Sequence, residues 1–320
     1  MLAIKNLTIS FPSHEGPKMA LSDLSLSISR NQIFGLMGES GSGKTLTALS
    51  ILGLLPFKAP QAQVKGEILY ENKNLLQSSP DQWHEIRWKK ISMIFQNPFT
   101  FFNPTLRLEK QFREILREES RPRISELLKA VSLQDETRIL KSYPHELSGG
   151  QLQRLMIALA LLQHPQLMIA DEPTTALDAN LKYSILELLK KIKEMEGLTL
   201  FIISHDLEAV STICDSLGII FRGFLVEYSP ASGLLQNPLH PYTQELLKQS
   251  GTNISNPGKE PLLEFKTQGC PYTLRCPHTK PKCNHEMPPW FLESGKEDHR
   301  VRCWIYENGV TPPLTPQTPL

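Results

Sequence analysis

The sequence predicts an α/β fold in which strands and helices alternate around a glycine-rich loop. Three observations lead to this prediction. A glycine-rich stretch at 38–43 lies between an apolar run at 33–37, suited to a buried strand, and a helix-forming run at 46–52. Two further apolar runs, at 167–172 and 198–203, end in charged or polar side chains. Between them, apolar residues recur with the spacing of an amphipathic helix, at Leu181, Ile185, Leu188, Leu189 and Ile192. This order of elements is typical of α/β proteins with a largely parallel sheet.

Length and composition exclude several classes of protein. The 320 residues can bury a full α/β core with room for a second, smaller unit. The 34 basic and 33 acidic residues leave a formal charge of +1, without the strong positive field of a nucleic-acid binder. No apolar run reaches the ~18–20 residues needed to span a bilayer, and residues 1–5 do not begin like a signal peptide. We therefore expect a cytosolic chain whose five cysteines are reduced, which favours metal or cluster ligation over disulfides.

The glycine-rich stretch fits the pattern G-x-x-x-x-G-K-[ST]. Its eight residues are Gly38, Glu39, Ser40, Gly41, Ser42, Gly43, Lys44 and Thr45. Glycines allow a tight turn whose N–H groups point inward, and the positive end of the following helix adds to the attraction for an anion. Lys44 would lie near the β- and γ-phosphates of a nucleotide, and the Thr45 hydroxyl would ligate Mg²⁺. A chance turn before a helix is the alternative, but the strand–loop–helix context favours a phosphate site.

Four further stretches predict strands that flank this loop. Residues 2–11 and 21–28 alternate apolar and polar side chains and predict an antiparallel pair, while 66–70 and 91–95 predict two more strands. Phe11 ends the first strand, where its ring could stack on an adenine or simply belong to the core. Gln96 follows the strand at 91–95. Its carbonyl oxygen could face Mg²⁺ or an attacking water, or it could be an ordinary polar end of a strand.

The stretch from 99 to about 143 predicts an aromatic, proline-containing loop followed by a helical insert. The phenylalanines of this loop are expected to be exposed as part of a binding surface: Phe99, Phe101 and Phe102. The helices of the insert are expected at 109–119 and 124–131. Ser148, Gly149, Gly150 and Gln151 then begin a helix that should run from 152 to 163. A serine before two glycines at a helix start is a second possible anion site, because free N–H groups and the helix dipole point the same way. An ordinary N-cap is the alternative.

The run at 167–172 is an apolar strand that ends in two adjacent acids, Asp171 and Glu172. At the carboxyl end of a sheet beside the phosphate loop, Asp171 would hold Mg²⁺ and Glu172 would orient or deprotonate an attacking water. A solvated Asp-Glu-Pro turn is the alternative. His205 follows the strand at 198–203 and could reach a γ-phosphate, although a lone histidine is more often structural.

Together, the motifs of residues 1 to about 230 resemble those of the nucleotide-binding subunit of an ATP-binding cassette (ABC) transporter. The resemblance implies a P-loop NTPase with a RecA-like α/β core, an antiparallel β subdomain and a helical subdomain at about 99–163. It implies an ATP and Mg²⁺ site formed by the Walker A loop at 38–45, Asp171, Gln96 and the adenine-stacking Phe11. It assigns catalysis to Glu172 and His205 with Gln96 as the Q-loop glutamine.

The same resemblance implies that the site is shared between two cassettes. In this family the signature residues Ser148, Gly149, Gly150 and Gln151 contact ATP held by the opposite protomer. The stretch at 176–178, with Asp178, resembles the D-loop. A second, homologous ATPase subunit is therefore an expected partner.

Residues 231–320 resemble the C-terminal extension of ATPases that serve peptide and nickel importers. This segment is rich in proline and short of apolar stripes, and it contains Cys270, Cys276, Cys283 and Cys303. Four thiols suit zinc or an iron–sulfur cluster, and because some members of the resembled group carry a [4Fe–4S] cluster, that cofactor is favoured over Zn²⁺, with free thiols as the third alternative. Cys214, by contrast, is expected as a buried thiol on a helix of the core.

These expectations combine into one functional hypothesis. Residues 1–230 form the nucleotide-binding domain and 231–320 the extension of an ATPase that energises import of di- or oligopeptides, nickel or a related small solute. The expected partners are a second ATPase subunit, two transmembrane permeases and, indirectly, an extracytoplasmic solute-binding protein, with no nucleic acid. The expected location is the cytoplasmic face of the membrane. The alternative is a soluble ABC ATPase of translation or DNA repair.

Overall fold

The computed structural model describes residues 1–14, 16–115, 121–175, 177–250, 268–293 and 298–307. Its strands belong to two sheets. In chain order they are β1 (Leu2–Phe11), β2 (Lys18–Ile28), β3 (Ile33–Met37), β4 (Gln63–Tyr70), β5 (Lys73–Asn74), β6 (Ile91–Ile94), β7 (Leu167–Asp171), β8 (Thr199–Ser204), β9 (Ser216–Phe221), β10 (Phe224–Pro230), β11 (Phe291–Leu292) and β12 (Arg300–Val301).

The α-helices alternate with the strands of the larger sheet and form the helical insert. In chain order they are α1 (Lys44–Ile51), α2 (Leu55–Lys58), α3 (Pro80–Glu85), α4 (Pro98–Phe101), α5 (Leu108–Ile115), α6 (Arg121–Ala130), α7 (Glu136–Lys141), α8 (Gly149–Leu161), α9 (Ala179–Glu196), α10 (Leu207–Ser211), α11 (Ala231–Gln236) and α12 (Pro241–Ser250). A π-helical segment, Ile86–Lys90, leads into β6.

The smaller sheet is antiparallel, with the strand order β2-β1-β4-β5. The larger sheet has eight strands in the order β11-β12-β10-β9-β3-β8-β7-β6. From β9 to β6 all neighbours are parallel, and β10, β12 and β11 continue the sheet in antiparallel pairs. Every residue of β3, β7 and β8 is buried. Because parallel strands end at the same edge of a sheet, the loops that follow these three strands meet there.

Two apolar cores hold the sheets and helices together. One lies between the smaller sheet and the larger one, and includes Leu7, Leu24 and Phe34. The other packs α8, α9 and the helical insert on the opposite face of the larger sheet, and includes Phe112, Leu155 and Leu189, all fully buried.

The extension is continuous with these layers. Tyr242, Tyr272 and Trp304 are buried in the same core as α8 and α9, and β12 pairs with β10 of the larger sheet. A buried hydrogen-bond network joins the two parts: His299 Nε2 lies 2.8 Å from the Glu227 carboxylate of β10, which also accepts the backbone N–H groups of Leu239 and His240. The extension is therefore ordered partly by burial and partly by polar contacts with β10.

The predictions agree with the structure apart from three local differences, and one predicted helix is described only in part. The helix expected at 109–119 is α5, which is described as far as Ile115, so 116–119 lie outside the described residues. The helix expected at 152–163 begins earlier, at Gly149, because Ser148 and Gln151 form a capping box. The expectation that Phe102 is exposed is wrong, because its side chain is only 2% exposed and packs in the core. Cys214 is buried as expected but lies in the loop between α10 and β9, not on a helix.

In the described part of the chain, no helix combines the length and the apolar character needed to cross a membrane.

Candidate active site

The glycine-rich loop connects the carboxyl end of β3 to the first turn of α1. Gly41 and Gly43 have φ values of 81° and 104°, a backbone conformation that side chains other than glycine rarely adopt. A Cβ atom on Gly38 would lie 2.1 Å from the carbonyl oxygen of Ile220, which no real structure tolerates. The loop therefore needs these glycines both to turn and to pack against β9.

Lys44 is held at the mouth of this loop. Its ammonium donates to the carbonyl oxygens of Gly38, at 2.7 Å, and Glu39, at 2.8 Å, and it lies 3.9 Å from a Glu172 carboxylate oxygen. Burial lowers the pKa of Lys44, and the negative charges of Glu172, Asp171 and Glu39 oppose that shift. The side chain is therefore a positive charge that the loop positions before any phosphate arrives.

Asp171 and Thr45 face each other across the loop. The Thr45 hydroxyl donates to Asp171 Oδ1 at 3.2 Å, which joins the start of α1 to the end of β7. Burial raises the pKa of Asp171 to about 6, and the hydrogen bond from Thr45 partly offsets that effect. A divalent cation would reverse the shift, because its charge favours the ionised carboxylate.

Glu172 and His205 form a hydrogen-bonded pair beside Lys44. His205 Nδ1 lies 2.8 Å from Glu172 Oε2, and the Thr175 hydroxyl donates to the same oxygen at 3.0 Å. Burial would raise the pKa of Glu172, but the hydrogen bond and charge of His205, together with Lys44, hold that pKa below its usual range. The same hydrogen bond raises the pKa of His205.

Glu172 reaches this position through an unusual backbone conformation. Its φ is 51°, in the left-handed region, and its N–H donates to the Ile203 carbonyl of β8 at 2.8 Å. A residue other than glycine in this conformation costs about 1–3 kcal/mol, which the surrounding structure must supply. The turn redirects the carboxylate from the line of β7 toward Lys44 and His205. Strain of this kind is frequent where a side chain performs chemistry.

The remaining predicted residues lie outside this cluster. Phe11 is half-buried at the end of β1, Gln96 is exposed after β6, and Ser148 is exposed at the start of α8. Asp178 caps α9 by accepting the Leu181 N–H at 3.0 Å, and its neighbour at 176 lies outside the described residues. In the part of the chain that the structure describes, none of these residues forms a hydrogen bond or ion pair with Lys44, Asp171, Glu172 or His205. Sequence reasoning missed Thr175, because a threonine after Asp-Glu-Pro gives no signal of its contact with Glu172.

The donor set fits a nucleoside triphosphate with Mg²⁺. The Ser42 hydroxyl is buried in the loop without a hydrogen-bond partner in the described residues, so it is available to a bound oxyanion. Lys44 supplies the charge that a phosphate requires, and Thr45 and Asp171 supply two of the oxygen ligands that Mg²⁺ prefers. The candidate catalytic, metal-binding and phosphate-binding groups thus lie at one sheet edge.

The four cysteines of the extension line one cavity. Cys270, Cys276, Cys283 and Cys303 surround it together with Tyr272, Trp304 and other residues of the extension. Each sulfur accepts a backbone N–H, from Tyr272, His278, Lys280 and Ile305 respectively. Burial raises the pKa of Cys270 to about 11 and that of Cys303 to about 12. In the described ranges, no group of three or more His, Cys, Asp or Glu residues could hold a metal ion, so the structure does not support the expected [4Fe–4S] or Zn²⁺ site.

Comparison with known proteins agrees with this geometry. The family model described as ABC transporter matches residues 21–175, and the model described as oligopeptide/dipeptide transporter, C-terminal region, matches residues 226–283. The dipeptide transport ATP-binding protein DppD of Bacillus subtilis is 35% identical over 321 residues, which span 96% of this chain and 95% of the relative. The oligopeptide transport ATP-binding protein OppD of Escherichia coli is 36% identical over 302 residues, or 90% and 89% of the two chains.

A solved structure extends the comparison to the fold. It is a dimeric ATP-binding cassette in a post-hydrolysis state, bound to ADP and Pi, and it is 32% identical to this chain with a TM-score of 0.61. The match covers 72% of this chain and 99% of the solved one. The P-loop NTPase fold is thereby confirmed, and the chain belongs to the ABC transporter family, among the ATP-hydrolysing subunits that carry the oligopeptide/dipeptide transporter C-terminal region.

Proposed function

We propose that this ATPase energises the import of di- or oligopeptides. The observation that carries the proposal is the match of residues 226–283 to the oligopeptide/dipeptide transporter C-terminal region, in a chain that resembles dipeptide and oligopeptide transport proteins over at least 90% of its length. The C-terminal region also argues against a soluble ABC ATPase of translation or DNA repair. Nickel or another small solute is the competing cargo within import.

The geometry of the site supports the following division of work. Lys44, Ser42 and the loop N–H groups would bind the phosphates of ATP, and Thr45 with Asp171 would hold Mg²⁺, whose positive charge would help to neutralise the phosphates. A pKa below its usual range favours the ionised form of Glu172, and in that form the carboxylate would orient the attacking water and accept its proton. His205 holds the Glu172 carboxylate, and its ring is 55% exposed and can turn toward the γ-phosphate.

The signature residues and the aromatic loop are assigned to subunit contacts. Ser148, Gly149, Gly150 and Gln151 would meet ATP on a second cassette, for which the capped N-terminus of α8 provides a rigid support. Phe99 and Phe101 remain 53% and 36% exposed beside α8 and would receive a permease, because exposed aromatic patches mark binding surfaces. With two permeases, a second ATPase and an external solute-binding protein, the chain would work at the cytoplasmic face of the membrane.

We propose that residues 1–230 form the nucleotide-binding domain and that the extension from 231 holds a [4Fe–4S] cluster. Four thiols line one cavity and each accepts a backbone N–H, an arrangement that stabilises thiolates bound to metal. Cys270, Cys276, Cys283 and Cys303 would hold the cluster as thiolates, and the cluster would have a structural role in ordering this proline-rich segment. Anaerobic purification should yield about four irons per chain, whereas one zinc without iron would contradict the cluster.

The proposed cargo is tested by the dependence of ATP hydrolysis on the solute-binding protein. The full complex, reconstituted in vesicles, is assayed with the binding protein loaded with a peptide library, with Ni²⁺, or with neither. We expect stimulation of ATP hydrolysis by the peptide-loaded form alone. Stimulation of ATP hydrolysis by the Ni²⁺-loaded binding protein alone would contradict peptide import and indicate metal import instead.

A further inference from the structure

The C-terminal extension makes direct contact with the phosphate-binding loop, and the contact is concentrated on Glu39. The backbone N–H of Glu39 donates to the Tyr242 hydroxyl of α12 at 2.9 Å. Its carboxylate accepts from Arg275 Nη1, at 2.9 Å and 3.1 Å for the two oxygens. Tyr242 and Arg275 lie 203 and 236 residues after Glu39 in the chain, so these bonds exist only because the extension folds back over the loop.

Arg275 is itself fixed on several sides. Its second guanidinium nitrogen, Nη2, forms a hydrogen-bonded ion pair with Glu245 of α12, and Glu245 also accepts the Tyr272 hydroxyl. The guanidinium lies over the rings of Phe221 and Tyr272, 5.6 and 5.7 Å from their centroids. With only 21% of its side chain exposed, Arg275 is held in one geometry and loses little entropy on pairing with Glu39.

Glu39 also contacts Lys44, the lysine of the phosphate-binding loop. Its carbonyl oxygen accepts from Lys44 Nζ at 2.8 Å, so one residue carries contacts from its N–H, its carbonyl and its side chain. The N–H and the carboxylate are held by the extension, and the carbonyl holds the lysine. A displacement of Arg275 or α12 would therefore reach the loop backbone at the residue that orients Lys44.

We propose that Arg275 is a positioning residue for the phosphate-binding loop: through Glu39, the extension sets the loop conformation and with it the affinity for nucleotide. The guanidinium of Arg275 is engaged by Glu39 and Glu245, so its influence on the nucleotide passes through the loop. We expect Arg275 to change the affinity for nucleotide, because the loop must hold its N–H groups and Lys44 in place before phosphate binds. The inference depends only on the ATP site and holds whatever solute is transported.

The test compares variants of the full-length chain by titration with MgADP, which binds the loop without the γ-phosphate that a second cassette would contact. Arg275→Gln and Glu39→Gln each remove the ion pair, and the double variant closes the cycle. Arg302→Gln is the matched control. Like Arg275, Arg302 belongs to the extension and directly precedes a cysteine of the cavity. It also pairs with a residue outside the extension, Asp23, at 2.8 Å, but Asp23 lies on β2 and not in the phosphate-binding loop. Circular dichroism verifies that each variant is folded.

We expect each single variant to raise the Kd for MgADP by about 3- to 10-fold, at the low end of the couplings measured between sites, because the pair is partly exposed. The double variant should show no further rise, since the two residues act through one contact. Arg275→Lys should fall between wild type and Arg275→Gln. In the reconstituted complex, Arg275→Gln should raise the KM for ATP while kcat at saturating ATP stays within about twofold, as expected when binding alone is affected.

Three outcomes would overturn the proposal. An unchanged Kd for MgADP in Arg275→Gln would show that the ion pair has no effect on nucleotide binding. An equal rise in Arg302→Gln would attribute the effect to general loosening of the extension. Multiplied effects in the double variant would mean that Glu39 and Arg275 act independently. Should Arg275→Gln fail to fold, Glu39→Gln, which leaves the extension intact, gives the same decision by itself.

Discussion

The replacement Glu172→Gln separates nucleotide binding from hydrolysis at this site. The carboxylate contacts His205 at 2.8 Å and Thr175 at 3.0 Å, while Lys44 lies 3.9 Å away, beyond a hydrogen bond. Glutamine has nearly the same shape and keeps one oxygen for Thr175, but it carries no charge and cannot accept the proton of a water. The loop and its bonds to Lys44 are left unchanged.

Two magnitudes follow from these contacts. Loss of the general base should slow hydrolysis by about 10²- to 10⁴-fold. Binding of ATP should be retained or become slightly tighter, because Lys44 loses a neighbouring negative charge that competes with phosphate. The pKa of His205, which the hydrogen bond to Glu172 raises, should fall toward its ordinary value.

The assay is single-turnover ATP hydrolysis in the reconstituted complex, with the second cassette silenced by its own substitution. NMR titration of His205 in the isolated full-length chain gives the pKa. Glu208→Gln, an exposed acid on α10 beside the site, is the control for a lost negative charge. Near-normal turnover in Glu172→Gln, or an unchanged pKa of His205, would refute the proposed pairing and role.

Three further predictions concern binding, docking and the extension. Lys44→Ala should weaken ATP binding by about 10- to 100-fold in equilibrium titrations, because a hydrogen bond to a charged group is lost. An unaltered affinity would argue against the loop as the phosphate site. Phe101→Asp should abolish co-purification with the permeases while ATP binding persists, whereas Tyr183→Asp, an exposed aromatic on α9, should have no such effect; retained assembly would mean that the aromatic loop only packs. Cys276→Ser should remove the iron and make the region 268–307 susceptible to protease while ATP still binds, and a protease-resistant variant with full iron content would contradict the cluster.

Much of the core could be predicted because each motif is local. The strand at 33–37, the loop and the helix after it follow from an apolar run, the glycines and a helix start, and all three lie where the sequence indicates. Asp171 and Glu172 were assigned from their position at the end of an apolar strand. The left-handed backbone of Glu172 could not be predicted, because a non-glycine residue adopts it only when neighbours such as Ile203 hold it there.

The errors and omissions arise from tertiary contacts. Phe102 lies in an aromatic run whose neighbours Phe99 and Phe101 are exposed, and only its packing in the helical core distinguishes it. The pairing of Arg275 with Glu39 joins residues 236 positions apart and leaves no trace in local pattern. The contribution of β11 and β12 to the main sheet was likewise invisible, because two-residue strands have no periodicity.

The central claim is that ATP hydrolysis at this site powers peptide uptake, and it is tested most directly by transport itself. Proteoliposomes containing the two permeases and both ATPases are given a labelled peptide with its solute-binding protein on one side and ATP with Mg²⁺ on the side of the cassettes. We predict accumulation of the peptide that requires ATP, fails with a non-hydrolysable analogue and is lost in Glu172→Gln with the second cassette silenced. Equal accumulation in the presence of that analogue, or hydrolysis of ATP without movement of any peptide, would contradict the account.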